Sequence, residues 1–385
     1  MARPKLIYVV TEDWYFLSHR MPTVHGAQAA GYEVCVITSD GQCRKAIEAQ
    51  GVRVIPFNFE RRNLNPARAS RQISELRDIY SREKPSVVHH IAMKPILYGS
   101  VAAWMTGVPH VVNAFAGLGY VFSENTKLAR AIRLFLVQAF RMLLKRRGSV
   151  VMLQNPDDLA LLKRFRMLPD DPARVVLIRG SGVDIDRLKP LPMPPMSIEG
   201  GDFICAYAGR MIEMKGLSVM KDAFARLKTE APHVKLWLCG QPDPGNPGSW
   251  TMDQIEEWTR ENPNVIYKGQ SNMAEIWAQS HVALQPSYGG EGVPKALLEA
   301  AACARPIIAT DVPGCREVVD EGRNGFLVPP RNPALLSERI LTLARHPVLC
   351  FTMGQNSRKL VEGDLSSAAV TEKTRVLYES LKKAA

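Results

Sequence analysis

Seven cysteines in 385 residues leave this chain without the means for a disulfide framework. They are Cys35, Cys43, Cys205, Cys239, Cys303, Cys315 and Cys350, odd in number and scattered. No CxxC pair and no Cys/His cluster stands at zinc spacing, so the pattern fits reduced thiols in a cytoplasmic protein. Long hydrophobic runs are also missing. The first apolar run stops at Val10, ahead of Glu12 and Asp13, too early for a secretory signal. The most apolar long stretch, 98–122, is broken by Gly107, Pro109 and His110 and reads as helix, turn and strand, not a membrane span. There is no Walker A sequence, and the first strand runs into Thr11-Glu-Asp-Trp14 without G-x-G-x-x-G, which argues against an NAD-dependent dehydrogenase. Aromatic residues make up 7% and do not interleave with basic ones, and no nucleic-acid-binding module is recognisable. No short-period repeat is present.

What is there is ordinary globular material, 46% hydrophobic and 23% charged, long enough for two to three domains. The net charge of +11 is unevenly spread: residues 1–180 hold 26 Lys/Arg against 14 Asp/Glu, and residues 181–385 hold 23 against 24. The first half is therefore expected to meet something anionic: a membrane surface, a nucleic acid or a phosphate-bearing substrate. Strands are predicted over 6–10, 34–38, 52–56, 87–89, 110–113, 150–154 and 175–178, with helices over 66–83, 94–105 and 127–145 among them. A proline-rich stretch, 188–196, reads as a linker. The alternation then restarts with strands over 203–208, 234–239, 265–268, 282–285, 306–309 and 325–328. The expected fold class is α/β, two doubly wound Rossmann-like domains facing across a cleft. The first domain is expected over 1–185, the linker over 186–201 and the second domain over 202–365. A last helix, 366–385, is expected to pack back on the first domain.

The helix over 127–147 repeats Leu128, Ile132, Phe135, Leu136, Ala139 and Leu143 at helical spacing, with Lys127, Arg130, Arg133, Arg141, Lys145, Arg146 and Arg147 supplying a basic face and end. Periodicity alone allows a core-facing helix with a solvated face. It equally allows docking on an anionic membrane through Arg130, Arg133 and Arg141, with Phe135 and Leu136 free for burial.

Chemistry concentrates in the second half. Glu291-Gly-Val-Pro-Lys-Ala-Leu-Leu-Glu299 follows Tyr288-Gly289-Gly290. The glycine-rich turn is expected to run into one helix that carries both glutamates near one face, about 12 Å apart, where acceptor-only groups suit the hydroxyls of a polyol and the helix N-terminus suits a diphosphate. The first strand of this half ends in Ala208-Gly209-Arg210-Met-Ile-Glu-Met-Lys215-Gly216, setting two cations at a strand's C-terminal end.

These elements together resemble the retaining family-4 glycosyltransferases of the GT-B fold, over nearly the whole chain. Glu291 and Glu299 match the family's E-x7-E element, and Gly209, Arg210, Lys215 and Gly216 its G-R-x4-K-G phosphate element. The stretch from Pro306 through Asp311 to Gly314 and the Gly322-x-Asn324-Gly325 turn match as well. In the first half, Asp13-Trp-Tyr-Phe-Leu-Ser-His19-Arg20, Lys94-Pro-Ile-Leu-Tyr98-Gly99 and Asn113-Ala-Phe-Ala-Gly-Leu-Gly-Tyr120 look like bacterial enzymes that extend sugars on undecaprenyl diphosphate, N-acetylhexosaminyltransferases among them.

The resemblance implies a donor site in which Arg210 and Lys215 hold the diphosphate and Glu299 accepts from ribose hydroxyls. Glu291 would hold the transferred sugar, and the N–H groups of Gly292 and Val293 would approach the phosphates. It implies acceptor contacts from Lys94, Asn113, Gly117 and Gly119, a UDP-sugar donor, no further cofactor, no metal and no protein nucleophile. It also implies a lipid-linked acceptor and a place at the cytoplasmic face of the plasma membrane. Many members carry a histidine where this chain has Phe115-Ala116-Gly117. His19, His89 and His90 are then the remaining candidates for its contact to the donor sugar, with His19 preferred and His89, at a strand end, read first as a satisfied core histidine. Asp184-Ile-Asp186 is read as structural and not as a metal-binding D-x-D. The alternatives are a family-4 enzyme with a soluble acceptor, a GT-B sugar-nucleotide epimerase and a basic nucleic-acid binder.

Overall fold

The computed structural model describes residues 3–60, 65–117, 127–196, 201–289 and 292–383, without the side chains of 127–129. The chain divides into two units, Met1–Gly182 with Ser367–Ala385, and Val183–Ser366. The expected boundary near 185 therefore falls at 182, and that near 365 at 366.

The first unit holds a seven-stranded sheet in the order β3-β2-β1-β4-β5-β6-β7. Its strands are β1 (Lys5–Val9), β2 (Glu33–Thr38), β3 (Arg53–Pro56), β4 (Val87–Ile91), β5 (His110–Ala114), β6 (Ser149–Leu153) and β7 (Val175–Leu177), and every pair is parallel. β4, β5 and β6 are buried at every position, as strands covered by helices on both faces must be, so they read as unbroken apolar runs. Alternate side chains feed two cores. Tyr8, Val36 and Val87 join one with Val370 and Tyr378, while Ile7, Val9 and Cys35 join the other with Leu76 and Tyr80.

The Ser367–Lys383 helix closes this unit against the Met21–Ala29 helix. Gly26 permits the approach, because a Cβ there would sit 2.2 Å from Thr374 Oγ1. Tyr378 then reaches the sheet: its hydroxyl lies 2.8 Å from that of Tyr8 and 2.7 Å from His89 Nδ1.

The second unit holds a six-stranded, all-parallel sheet in the order β10-β9-β8-β11-β12-β13. Its strands are β8 (Phe203–Ala208), β9 (Val234–Cys239), β10 (Val265–Gly269), β11 (Val282–Gln285), β12 (Ile307–Thr310) and β13 (Gly325–Val328). The proline-rich stretch is not a free linker. Leu188 is buried in this unit, Leu191, Met193 and Met196 pack on its cores, and Arg305 seals the contact. That fully buried guanidinium donates to the carbonyls of Leu191 (3.3 Å), Pro192 (2.8 Å) and Trp277 (2.6 Å). Burial pushes its pKa down to about 10. The leucines and methionines between the prolines supply the apolar surface, and the carbonyls supply the acceptors.

Candidate functional site

In doubly wound sheets, ligands bind outside the carboxyl ends of the strands where the strand order reverses. In the second unit that point lies between β8 and β11. The loop after β8 carries Gly209, Arg210 and Lys215, and the loop after β11 leads through Tyr288 and Gly289 to Gly292 and Val293. The two loops are stitched together. Met214 O accepts from the N–H groups of Tyr288 (3.0 Å) and Gly289 (3.4 Å). Gly216, at φ +82°, lets the chain turn beside Pro286, whose carbonyl oxygen would be 2.2 Å from an added Cβ. Lys215 ends the short 3-10 turn Glu213–Lys215.

Arg210 is oriented by a residue that spacing did not single out. Its Nη1 donates to Asp243 Oδ2 at 2.7 Å, from the loop after β9, and that carboxylate is the more buried partner. Other unforeseen residues are Glu213, Trp250 and Tyr288, which form one hydrogen-bonded group, and Arg331, which lies over the Tyr288 ring at 4.4 Å. Each is far in sequence from its partner, so no local pattern could have paired them.

One expectation is corrected by the helix boundary. The helix spans Lys295–Ala302 with extended Pro294 as its N-cap, so it carries Glu299 and not Glu291. Proline at that position has no N–H, and the residue before a proline is held out of the helical region, which stops the helix from starting earlier. The single-face argument for two carboxylates therefore fails, and Glu291 itself lies outside the described residues. Glu299 does not face solvent: its side chain is 13% exposed and 3.6 Å from Lys295 Nζ. Burial raises its pKa, while Lys295 and Arg187 pull the other way. Gly292 is half-buried and Val293 buried.

In the first unit the strand order reverses between β1 and β4. His19 closes the Asp13–His19 helix in the loop region after β1, its ring stacked on Tyr15 at 4.4 Å. Lys94 follows β4, donates to the Glu60 carbonyl, and has its pKa lowered by burial. Gly117 follows β5 with φ +97°, and Gly119 lies outside the described residues. Ala92, between β4 and the Met93–Thr106 helix, holds φ 74° and ψ 161°, a region reserved almost entirely for glycine. No sequence signal marks it.

The structure buries His89, His90 and Asn113 in the core, as expected for His89. His89 does not end its strand, since β4 runs on to Ile91 and buries both His89 and His90 completely. His90 Nδ1 lies 3.0 Å from Asn113 Oδ1 and its Nε2 3.0 Å from Tyr80 Oη, and burial lowers its pKa to about 4. Asn113 is fully buried as well, its amide donating to Ser149 Oγ at 3.0 Å, so its side chain serves the core and not an acceptor surface. Phe115 packs edge-on to Phe140 at 5.6 Å. Asp184 accepts from the N–H groups of Asp186 (3.1 Å) and Arg187 (2.9 Å), closing a turn.

The Lys127–Lys145 helix has two apolar faces. Val137, Phe140 and Leu144 enter the core beside Ile96 and Leu153, with Leu136 packed against them. Leu134, Phe135 and Met142 stand about two-thirds exposed, at 66%, 65% and 66%. Leu136 therefore belongs to the inward face, contrary to its expected pairing with Phe135. Arg130 is exposed, Arg133 is half-buried, and Arg141 donates from Nε to the Phe165 carbonyl at 2.8 Å. Among the described residues, no helix is long and apolar enough to cross a membrane.

Residues 5–155 match the family described as glycosyl transferase 4-like, and residues 202–346 the family described as glycosyl transferases group 1. The capsular polysaccharide biosynthesis glycosyltransferase CapM of Staphylococcus aureus is 24% identical over 401 residues, covering 100% of this chain and 99% of that protein. The N,N'-diacetylbacillosaminyl-diphospho-undecaprenol alpha-1,3-N-acetylgalactosaminyltransferase of Campylobacter jejuni is 22% identical, over 89% of this chain and 92% of its own. HepE of Anabaena, solved with UDP-glucose, superposes with a TM-score of 0.75 at 16% identity, covering 98% and 99%. Sucrose-phosphate synthase of Thermosynechococcus elongatus gives 0.79 at 19%, covering 100% of both chains. The fold of this chain is GT-B, built from two parallel-sheet units.

Proposed function

Because this chain belongs to the group 1, family-4-like glycosyltransferases, we propose that it moves an N-acetylhexosamine from a UDP-sugar to a polyprenyl-diphosphate-linked acceptor, with retention of configuration, in cell-surface polysaccharide assembly. The observation that carries the reading is the loop bearing Arg210 and Lys215 at the β8/β11 reversal, stitched to the turn that leads toward Glu299. Arg210 and Lys215 neutralise the diphosphate, which gains charge as its bond to the sugar breaks. Glu299 accepts from ribose hydroxyls, Gly292 and Val293 offer N–H groups, and Glu291 holds the transferred sugar. The acceptor hydroxyl attacks C1 on the face the nucleotide leaves. The new C–O bond forms as the old one breaks, and the hydroxyl proton passes to the departing phosphate oxygen. No protein nucleophile and no metal ion is needed for that step.

Lys94 and Gly117, in the loops after β4 and β5, serve the acceptor, and His19, at the end of the Asp13–His19 helix, stands in for the missing histidine toward the transferred sugar. The basic first half and the exposed Leu134, Phe135 and Met142, with Arg130 beside them, support docking on anionic lipid at the inner face of the plasma membrane. The test is incubation with a panel of UDP-sugars and a polyprenyl-diphosphate-linked sugar, read by mass spectrometry. Product carrying one added N-acetylhexosamine supports the reading. Nucleotide-sugar turnover without a glycosylated lipid product removes it.

A further inference from the structure

Glu213 stands between Arg210 and Lys215 in sequence, and the transfer chemistry gives it no part. Three donors converge on its carboxylate. Tyr288 Oη donates to Oε1 at 2.9 Å, while Ser218 Oγ at 2.6 Å and Trp250 Nε1 at 2.9 Å donate to Oε2. Its backbone N–H donates to the Gly248 carbonyl at 2.7 Å. Tyr288 lies in the loop after β11, Gly248 and Trp250 in the loop after β9, and Arg331, stacked on Tyr288, follows β13. Burial raises the Glu213 pKa, but the three hydrogen bonds and the charge of Arg331 outweigh it, so the carboxyl titrates below its ordinary range.

We infer that Glu213 is a positioning residue that fixes the Arg210–Lys215 loop against the Tyr288 turn, so that the cations and the N–H groups of Gly292 and Val293 meet one diphosphate together. This inference rests on the donor-site reading above. A carboxylate suits the task because it is acceptor-only and can take all three donors at once. Removing it orphans the donor-only Trp250 Nε1–H and frees two loops whose relative placement decides how a diphosphate is held. Glutamine can take its place in one orientation: the amide oxygen accepts from Ser218 and Trp250, and the amide nitrogen donates to the Tyr288 hydroxyl.

The experiment measures UDP binding and steady-state kinetics for the full chain and for Glu213→Ala, Glu213→Gln and Tyr288→Phe. UDP binding by the unmodified protein is measured first, since its failure removes the donor-site reading itself. Given that binding, Glu213→Ala should raise the donor KM and the UDP Kd at least tenfold while the acceptor KM stays within twofold. Glu213→Gln should recover to within about threefold of the unmodified protein. Tyr288→Phe should give a smaller donor-side loss that vanishes in the Glu213→Ala background. Donor and acceptor KM rising together, or a lowered thermal midpoint with unchanged UDP affinity, would make Glu213 structural support only and overturn the inference. Should Glu213→Ala fail to fold, unchanged donor KM in Tyr288→Phe overturns it equally.

Discussion

Glu299 is held largely out of water with Lys295 on one side and the charge of Arg187 nearby, a costly place for a carboxylate unless it has hydrogen bonds to accept. Ribose hydroxyls would supply them. Glu299→Ala is expected to lose about 1.5–3 kcal/mol of nucleotide affinity. A titration with UDP showing affinity within twofold of the unmodified protein would end that assignment. Arg210→Ala and Lys215→Ala are expected to lower turnover by at least about two orders of magnitude each, because the leaving diphosphate gains charge between the bound donor and the transition state. Addition of EDTA should leave turnover unchanged. Arg210 and Lys215 were legible in the sequence because one short loop motif holds both, and Glu299 because it closes the E-x7-E element. Asp243, Tyr288 and Arg331 were not: their partners lie 33 residues away for Asp243 and 75 for Tyr288, and only the folded sheet brings them together.

Elements were legible where one rule governs them and misread where two compete. Buried parallel strands appear as apolar runs, so β8, β9, β11 and β13 lie where the runs predict them. The 295–302 helix starts later than its acidic spacing suggests because Pro294 overrides periodicity. In the Lys127–Lys145 helix the apolar residues are too many for one stripe, and periodicity could not tell which of Leu134 and Leu136 turns inward. Burial decides for Leu136. This sharpens the membrane test, because replacing Arg141 would also break its bond to the Phe165 carbonyl. The combined change Leu134→Ser, Phe135→Ser and Met142→Ser leaves the core stripe intact. It should abolish sedimentation with anionic liposomes and activity on a long-chain lipid acceptor, while activity on a short, soluble analogue survives. Undiminished sedimentation would show that this helix does not face lipid.

Across the whole molecule, four buried histidines set the response to acid. Burial lowers the pKa of His90 and His281 to about 4 and depresses those of His89 and His110. The folded chain keeps His90 and His281 neutral while the unfolded chain protonates them near 6.5, so their contribution is present above that pH and is lost as pH falls toward 4, and His89 and His110 act in the same direction. Asp158, raised to about 6 by burial, and Glu299 act in the opposite sense but are fewer. Unfolding by urea at pH 7 and pH 5 should differ by roughly 2–4 kcal/mol, with the acidic sample weaker. Equal midpoints would contradict the neutral-histidine assignment. The two-sheet plan was legible in the strand–helix alternation, whereas the use of the proline-rich stretch as packing was not, because Arg305 lies over 100 residues beyond it. The Ser367–Lys383 helix bears on how the chain is born. A ribosome releases residues in order, so β1 to β7 emerge long before the helix that buries Tyr8 and covers Gly26. The second unit, continuous from Val183 to Ser366, can complete its core while the first still exposes the apolar surface reserved for Val370, Leu377 and Leu381. The half of the chain made first is therefore the half finished last, and a nascent chain stalled before residue 367 would offer that open surface to chaperones.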